Sequence, residues 1–244
     1  MSKQFSLLLL QAVELGVEAL LMDEDRCATN FLVRDAKMMQ LVAAGKEPIT
    51  PFVRRVRALY EQLSVSTILV IGGTGDYFDV ADHVLVMDSY NCQDATGRAK
   101  DIVKNFGGST DGDEASSSPL CMASARSRTI TRPAQIQPNG KMKTSRTGLI
   151  SYGDTEIDVT AVEQIVSASQ TSAIAHFLKK VGVSGEESSL LEVLQSIDEV
   201  LDQHGLDALA PGQFHGGLTR PRLLEVGATL NRLRVPGTIT QANK

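Results

Sequence analysis

Apolar and polar positions along this chain follow two periods, one helical and one extended. Residues 6–16 read as a helix, a leucine-rich run stopped by Gly16. Residues 18–23 read as a buried strand, because Ala19 to Met22 are all apolar and the run is short. Asp35 to Ala44 suits a helix stopped by Gly45. Thr50 before Pro51 predicts an N-cap with proline at the first helical position, opening a helix over 51–63. Phe52, Val56, Leu59 and Leu63 form its apolar stripe. STILVIGG, residues 66–73, is β-branched and ends in glycines, the clearest strand pattern in the chain. HVLVMD at 83–88 is another strand, reached through a short helical connection from Asp76 to Ala81. Helices alternating with apolar strands imply an α/β fold whose parallel sheet is covered on both faces.

The pattern then changes. Residues 105–147 are rich in Gly, Ser, Thr and Pro, which predicts a linker, a long loop or irregular strand structure. Order returns near Leu149. Thr160 and Glu163 read as a capping box opening a helix with Val162, Ile165, Val166, Ile174, Phe177 and Leu178 on its apolar stripe, ended by Gly182. Ser189 and Glu192 form a second capping box before Leu190, Leu194, Ile197 and Leu201, and Gly205 stops that helix. A last helix is expected from Pro221 to about Arg234. The organisation predicted is an α/β region at 1–104, a basic linker or loop at 105–147, and a mainly helical extension at 148–244.

Composition narrows the classes. With 42% hydrophobic residues in 244, the chain can bury a sizeable core. A net charge of −5 creates no global field that would draw it to nucleic acid or anionic lipid. Cys27, Cys92 and Cys121 form no CxxC, which argues against a zinc site or disulfide framework and for a reducing, cytoplasm-like compartment. The longest apolar stretch is interrupted by Gln11, Glu14 and Glu18, too polar to span a bilayer. The opening MSKQFSLLLL has a single lysine and no small-residue cleavage site, unlike a secretion signal.

Two stretches point to chemistry. Four apolar residues followed by Asp23 and Glu24 match the hhhhDE pattern of P-loop NTPases. There the first carboxylate leaves the carboxyl edge of a parallel sheet and holds a water in a magnesium shell. The second polarises the water that attacks the γ-phosphate. The plainer reading is a solvated acidic turn at a strand end. IGGTGDYFDVAD lacks the GxGxxG spacing, and turn-making is the expected role of its glycines. One crossover after the acidic strand, it is expected in the same sheet, where Thr74 and Asp76 would sense the same phosphate.

On these residues the chain resembles the soluble ATPases of the ABC class. The resemblance runs through SLLLLQAVELGVEALLMDEDRCATNFLVRD, KEPITPFVRRVRALYEQLSVSTILVIGGTGDYFDVADHVLVMD, IDVTAVEQIVSASQTSAIA and TRPRLLEVGATLNRLR. It implies ATP and Mg2+ as ligands, with Asp23 on the metal and Glu24 as general base. It also implies a homodimer in which Asp25 to Asn30, including Thr29, form a loop approaching the partner's nucleotide. Gly73 falls where transporter ATPases carry a switch histidine. No GxxxxGK[ST] occurs in the sequence, so the resemblance is to the C-terminal part of such an ATPase, with weak or no hydrolysis expected of this chain alone.

A rival reading is a nucleic-acid-binding or scaffolding module. From Ala115 to Gly153 there is no acid, while Arg126, Arg128, Arg132, Lys141, Lys143 and Arg146 could neutralise RNA or DNA phosphates. No aromatic residue lies between Phe106 and Tyr152 to stack on bases. The arginines at 220, 222, 232 and 234, read as a group on the last helix, could pair with acids of the ATPase-like core, the commoner outcome for surface arginines, or contact phosphate. No two histidines have metal-ligand spacing.

Overall fold

The computed structural model describes residues 2–33, 50–106, 128–145, 148–184, 187–212, 216–235 and 239–241. The chain forms two compact units, one of Met1–Leu9 with Glu18–Leu120, the other of Leu10–Val17 with Cys121–Lys244. The helix expected at 35–44, Arg126 and Arg146 lie outside the described residues.

The first helix, α1, runs Ser2–Glu14, earlier than predicted, and Gly16 turns the chain out of it at φ 80°. In the first unit β1 (Ala19–Asp23) leads through a 3-10 turn at Glu24–Arg26 into the short α2 (Thr29–Leu32). The expected helix at 51–63 is broken. Phe52–Arg54 form a 3-10 turn and α3 spans only Val56–Leu63. Thr50 does not cap it; its hydroxyl accepts from Arg55 Nη2 at 3.0 Å. Phe52 is buried and stacks on Phe31 at 5.6 Å between centroids, and Leu59 is fully buried, while Val56 and Leu63 are half-buried.

The strand β2 (Ser66–Val70) pairs in parallel with β1, Ala19 opposite Ser66 and Asp23 opposite Val70. This parallel pair holds the described part of the expected sheet, and its burial corrects the prediction. Parallel strands are normally covered on both faces. Here Leu21 is 77% exposed, Ile68 61% and Val70 65%, all on one face of the pair. The apolar run is a strand, as its pattern predicts, but one of its faces is open to solvent.

After a 3-10 turn at Asp76–Asp79, β3 (Leu85–Asp88) does not extend the parallel sheet. It folds back on β4 (Asn91–Asp94) as an antiparallel hairpin. Ser89 and Tyr90 take positive φ at the bend (48° and 67°), a turn without the usual glycine, which is why the sequence did not announce it. Asp94 Oδ1 then accepts from Thr96 N at 2.8 Å and starts α4 (Thr96–Phe106), a helix the reading had not placed.

The second unit holds the larger core. The stretch expected as a linker contains β5 (Arg128–Ile130), a 3-10 turn at Pro133–Ile136 and β6 (Met142–Ser145). With β7 (Leu149–Tyr152) and β8 (Thr155–Asp158), β6 forms an antiparallel meander. Gly153, at φ 63°, makes the β7–β8 turn, and a Cβ there would meet Asn139 backbone atoms at 2.5–2.8 Å. The helix α5 (Ala168–Val181) packs on β6 and β7. It starts later than predicted because Thr160 is taken by Asp158, whose Oδ1 accepts from its N–H and hydroxyl at 2.9 and 2.6 Å. The working capping box is Ser167 with Gln170. Val162 and Ile165 are buried as expected, but from the turn before the helix, and Val166 is 76% exposed.

Ser189 and Glu192 do cap the next helix, α6 (Leu190–His204), immediately after the two-residue β9 (Ser188–Ser189). The last helix, α7, is confined to Leu223–Leu230. The three helices pack on one another, and β10 (Ile239–Gln241) joins β5 on the edge opposite β9. Ile130, Ile150, Ile157, Ile174, Phe177 and Leu194 lie at the centre of this core, with Leu15 inserted from the turn after α1. Among the described residues no helix is long and apolar enough to cross a membrane.

Two contacts tie residues 10–17 to this core. The Glu14 carboxylate, buried at 3% exposure, accepts from Arg128 Nε at 2.7 and 2.8 Å and from Arg128 Nη2. Arg128 Nη2 also donates to Asn231 Oδ1 at 2.9 Å. Arg128→Met leaves a buried carboxylate without its partner and should cost about 3–5 kcal/mol in urea unfolding, much of it recovered in Glu14→Leu with Arg128→Met. A loss under about 1 kcal/mol for the single change would show that the pair is not buried in solution. The second contact is Leu15 against Gly227, where an added Cβ would lie 2.5 Å from both Leu15 methyls. Gly227→Ala should lower stability by about 1–3 kcal/mol through overpacking, despite alanine's better helix propensity. Truncating Leu15 to Ala in that background should then cost less than it does in the parent chain.

Candidate functional site

The in-register pairing of β1 with β2 sets the geometry. Both strands end at the same carboxyl edge, so the chain following Asp23 and the chain following Val70 leave side by side. From one side come Asp23, Glu24 and Asp25, and from the other Gly72, Gly73, Thr74 and Asp76.

Glu24 crosses the gap. Its Oε2 accepts from Gly72 N at 2.8 Å and from Gly73 N at 2.9 Å. Two backbone donors on one oxygen stabilise the ionised form, so the Gly72 bond first, and the Gly73 bond next, hold this carboxyl below the usual glutamate range. Gly73 permits the approach, since a Cβ there would lie 3.0 Å from Glu24 Oε1. No Cβ contact would arise at Gly72, which faces open space.

Asp23 stays exposed at the end of β1. Its Oδ1 accepts from Asp25 N at 3.2 Å and so caps the 3-10 turn. Asp25 and Asn30 are exposed, and Thr29 opens α2. The Thr74 hydroxyl donates to Asp76 Oδ2 at 2.6 Å and accepts from Asp76 N at 3.3 Å, a small closed loop rather than an outward-facing pair. The three consecutive acids do not converge. Among the described residues no three His, Cys, Asp or Glu side chains group as a metal site.

Behind this edge Tyr77 is buried, and its hydroxyl donates to Leu32 O at 2.9 Å. Burial, chiefly, raises its pKa well above the ordinary tyrosine value and keeps it a donor. The bond anchors α2 to the turn after β2. Neither this anchor nor the Glu24 bridge to Gly72 is legible in the sequence, because each ends on a backbone atom that carries no residue signature. Cys27 is partly buried, and burial followed by the Asp23 charge pushes its thiol pKa up, away from a reactive thiolate.

The basic residues separate. Arg128 is committed to Glu14 and Asn231 in a strand, which removes it from the expected nucleic-acid set. Arg132, Lys141 and Lys143 are exposed. On the outer face of the meander, however, Lys143 lies in the same row as Ser151 and Glu156, so acid shares that surface. Arg220 pairs with Asp198 at 2.7 Å and Asp202 at 2.6 Å, and Arg222 pairs with Glu225 at 2.5 Å, as expected of surface arginines. The acids come from α6 and α7, within the C-terminal unit, and not from the ATPase-like region.

Comparison with known proteins matches two stretches of the chain. The model of the ABC_ATPase P-loop domain matches residues 2–123. That of the MRB1590 C-terminal domain matches residues 141–237. A search of curated proteins found no match. The P-loop match, covering β1, β2 and the acidic edge between them, supports nucleotide binding by this part of the molecule. On the strength of that match over half its length, this chain belongs to the ABC-type P-loop ATPase family.

Proposed function

We propose that the chain supplies the hydrolytic edge of an ABC-class ATPase core. The observation that carries this reading is the shared carboxyl edge of β1 and β2, where ligands bind in open parallel sheets. Asp23 is the residue to hold a water of the magnesium shell. It is exposed, and its single described hydrogen bond engages one oxygen, leaving the other for the ion. With no three-residue ligand cluster among the described residues, Mg2+ would take most of its coordination from phosphate and water, its usual habit in nucleotide sites. When bound, Mg2+ would supply charge neutralisation of the triphosphate.

Glu24 is the candidate general base, and releasing its carboxylate from Gly72 and Gly73 is a condition for that role. Thr74 and Asp76 are the candidate phosphate sensors, beside Gly73 at the switch position. Asp25, Thr29 and Asn30 are assigned to the face of a homodimer that meets the partner's nucleotide. The phosphate-cradling loop is a separate contribution, since the sequence holds no GxxxxGK[ST]. Several charge-assisted phosphate contacts, each worth about 1.5–3 kcal/mol, must come from it.

In a version of this core that carries the phosphate loop, Glu24→Gln should reduce turnover by about 10²- to 10⁴-fold while ATP remains bound. Single-turnover phosphate release with a parallel nucleotide-retention assay reads both. Unchanged turnover would remove Glu24 from the role. The chain by itself should release phosphate at the buffer rate.

A second reading, nucleic-acid binding, draws on the exposed cations Arg132, Lys141 and Lys143. If they contact single-stranded RNA, replacing each by Gln should lower the slope of log affinity against log salt by about 0.7. A slope that ignores all three changes would retire that reading.

A further inference from the structure

The Glu24 bridge has a property that a carboxylate serving only as a base does not need. Consecutive backbone N–H groups, those of Gly72 and Gly73, converge on one anionic oxygen at 2.8 and 2.9 Å. Neighbouring amides aimed at one point form an anion-binding concavity, the device by which main chain holds phosphate in many loops. The pair lies just past the end of a parallel strand, on exposed backbone, with open space beside Gly72. The oxygen filling it belongs to a side chain whose other end is tethered to the neighbouring strand.

We propose that the Gly72–Gly73 amide pair is a phosphate-binding site in which Glu24 is the resident stand-in, so that a phosphoryl oxygen and the Glu24 carboxylate compete for the same two N–H groups. This deepens the ATPase reading and rests on it for the identity of the phosphate. The consequence is an ordered exchange. With Glu24 on the amides, its Oε2 is engaged by two donors and is a poor proton acceptor. When a phosphate takes the amides, the carboxylate is released beside that phosphate, where an attacking water would sit. Binding and activation of the base then become one event. Gly73 suits such an exchange better than any residue with a side chain, because a Cβ would press on Glu24 Oε1 at 3.0 Å.

Charge sets a further condition. Asp23 and Asp25 adjoin Glu24 in the chain and Asp76 follows Gly73 by three residues, so a bare phosphate meets repulsion from this acidic edge. A divalent cation delivered with the phosphate lifts it, and Mg2+ should therefore strengthen phosphate binding here rather than act independently of it.

The test uses the full chain labelled with 15N-glycine, and inorganic phosphate with and without Mg2+ as the probe. Without ligand, Glu24→Ala should shift the Gly72 and Gly73 amide resonances upfield as their bonds are lost. Phosphate with Mg2+ should then move both resonances along a saturating curve, with affinity in the Glu24→Ala chain at least about tenfold tighter than in the parent. Glu24→Gln, whose neutral carbonyl holds the amides less strongly, should fall between. Equal affinity in all three chains, or glycine resonances that phosphate leaves unmoved in Glu24→Ala, would overturn the proposal. Neither result touches the hydrolytic assignment, which is judged by turnover in the complete core; loss of turnover in Glu24→Gln with no phosphate effect on these amides would leave Glu24 a base and the amides merely its resting place.

Discussion

The parallel register of two short strands governs the functional half of this molecule. Pairing Ala19 with Ser66 and Asp23 with Val70 fixes which backbone atoms face which side chains beyond the strand ends. A slip of one residue would turn every side chain of one strand to the opposite face. It would also carry the amides of Gly72 and Gly73 out of reach of Glu24. The hydrogen bonds at 2.8 and 2.9 Å are therefore a sensitive reporter of this register.

The two units meet the demands of folding differently. The C-terminal unit encloses its apolar residues conventionally, with helices packed on a meander and the buried Glu14 carboxylate held by Arg128. In the N-terminal unit the parallel pair presents Leu21, Ile68 and Val70 to solvent while Phe31, Phe52, Leu59 and Tyr77 build a small core nearby. Parallel strands seldom tolerate such exposure, because each face of such a pair is normally covered by another layer. The chemistry proposed for Asp23 and Glu24 has a requirement of its own, a phosphate cradle opposite them.

Arg128 shows how charge read along a sequence can mislead. It lies within a run without acids, and so looks available to phosphate. Its partner Glu14 is more than a hundred residues away and is fixed by strand β5 and the end of α1. Removing that arginine from the basic set, and finding Glu156 in the same row as Lys143, leaves a weaker cationic surface than the sequence promised.

Local rules carried far where the answer was local. The strand at 66–70, the capping box of Ser189 with Glu192 and the stops at Gly16, Gly182 and Gly205 were readable because each depends on residues within one turn of helix or one short run. Competition between neighbours was harder. Asp158 captured Thr160 and moved the start of α5 to Ala168, and a turn at Ser89 and Tyr90 formed without glycine. The sequence by itself placed an acidic pair after one strand and a double glycine, expected to make a turn, after another. Only tertiary structure decided that they touch, and that Glu24 spends its charge on the amides of Gly72 and Gly73. That contact ends on main-chain atoms, which every residue shares and no sequence pattern marks.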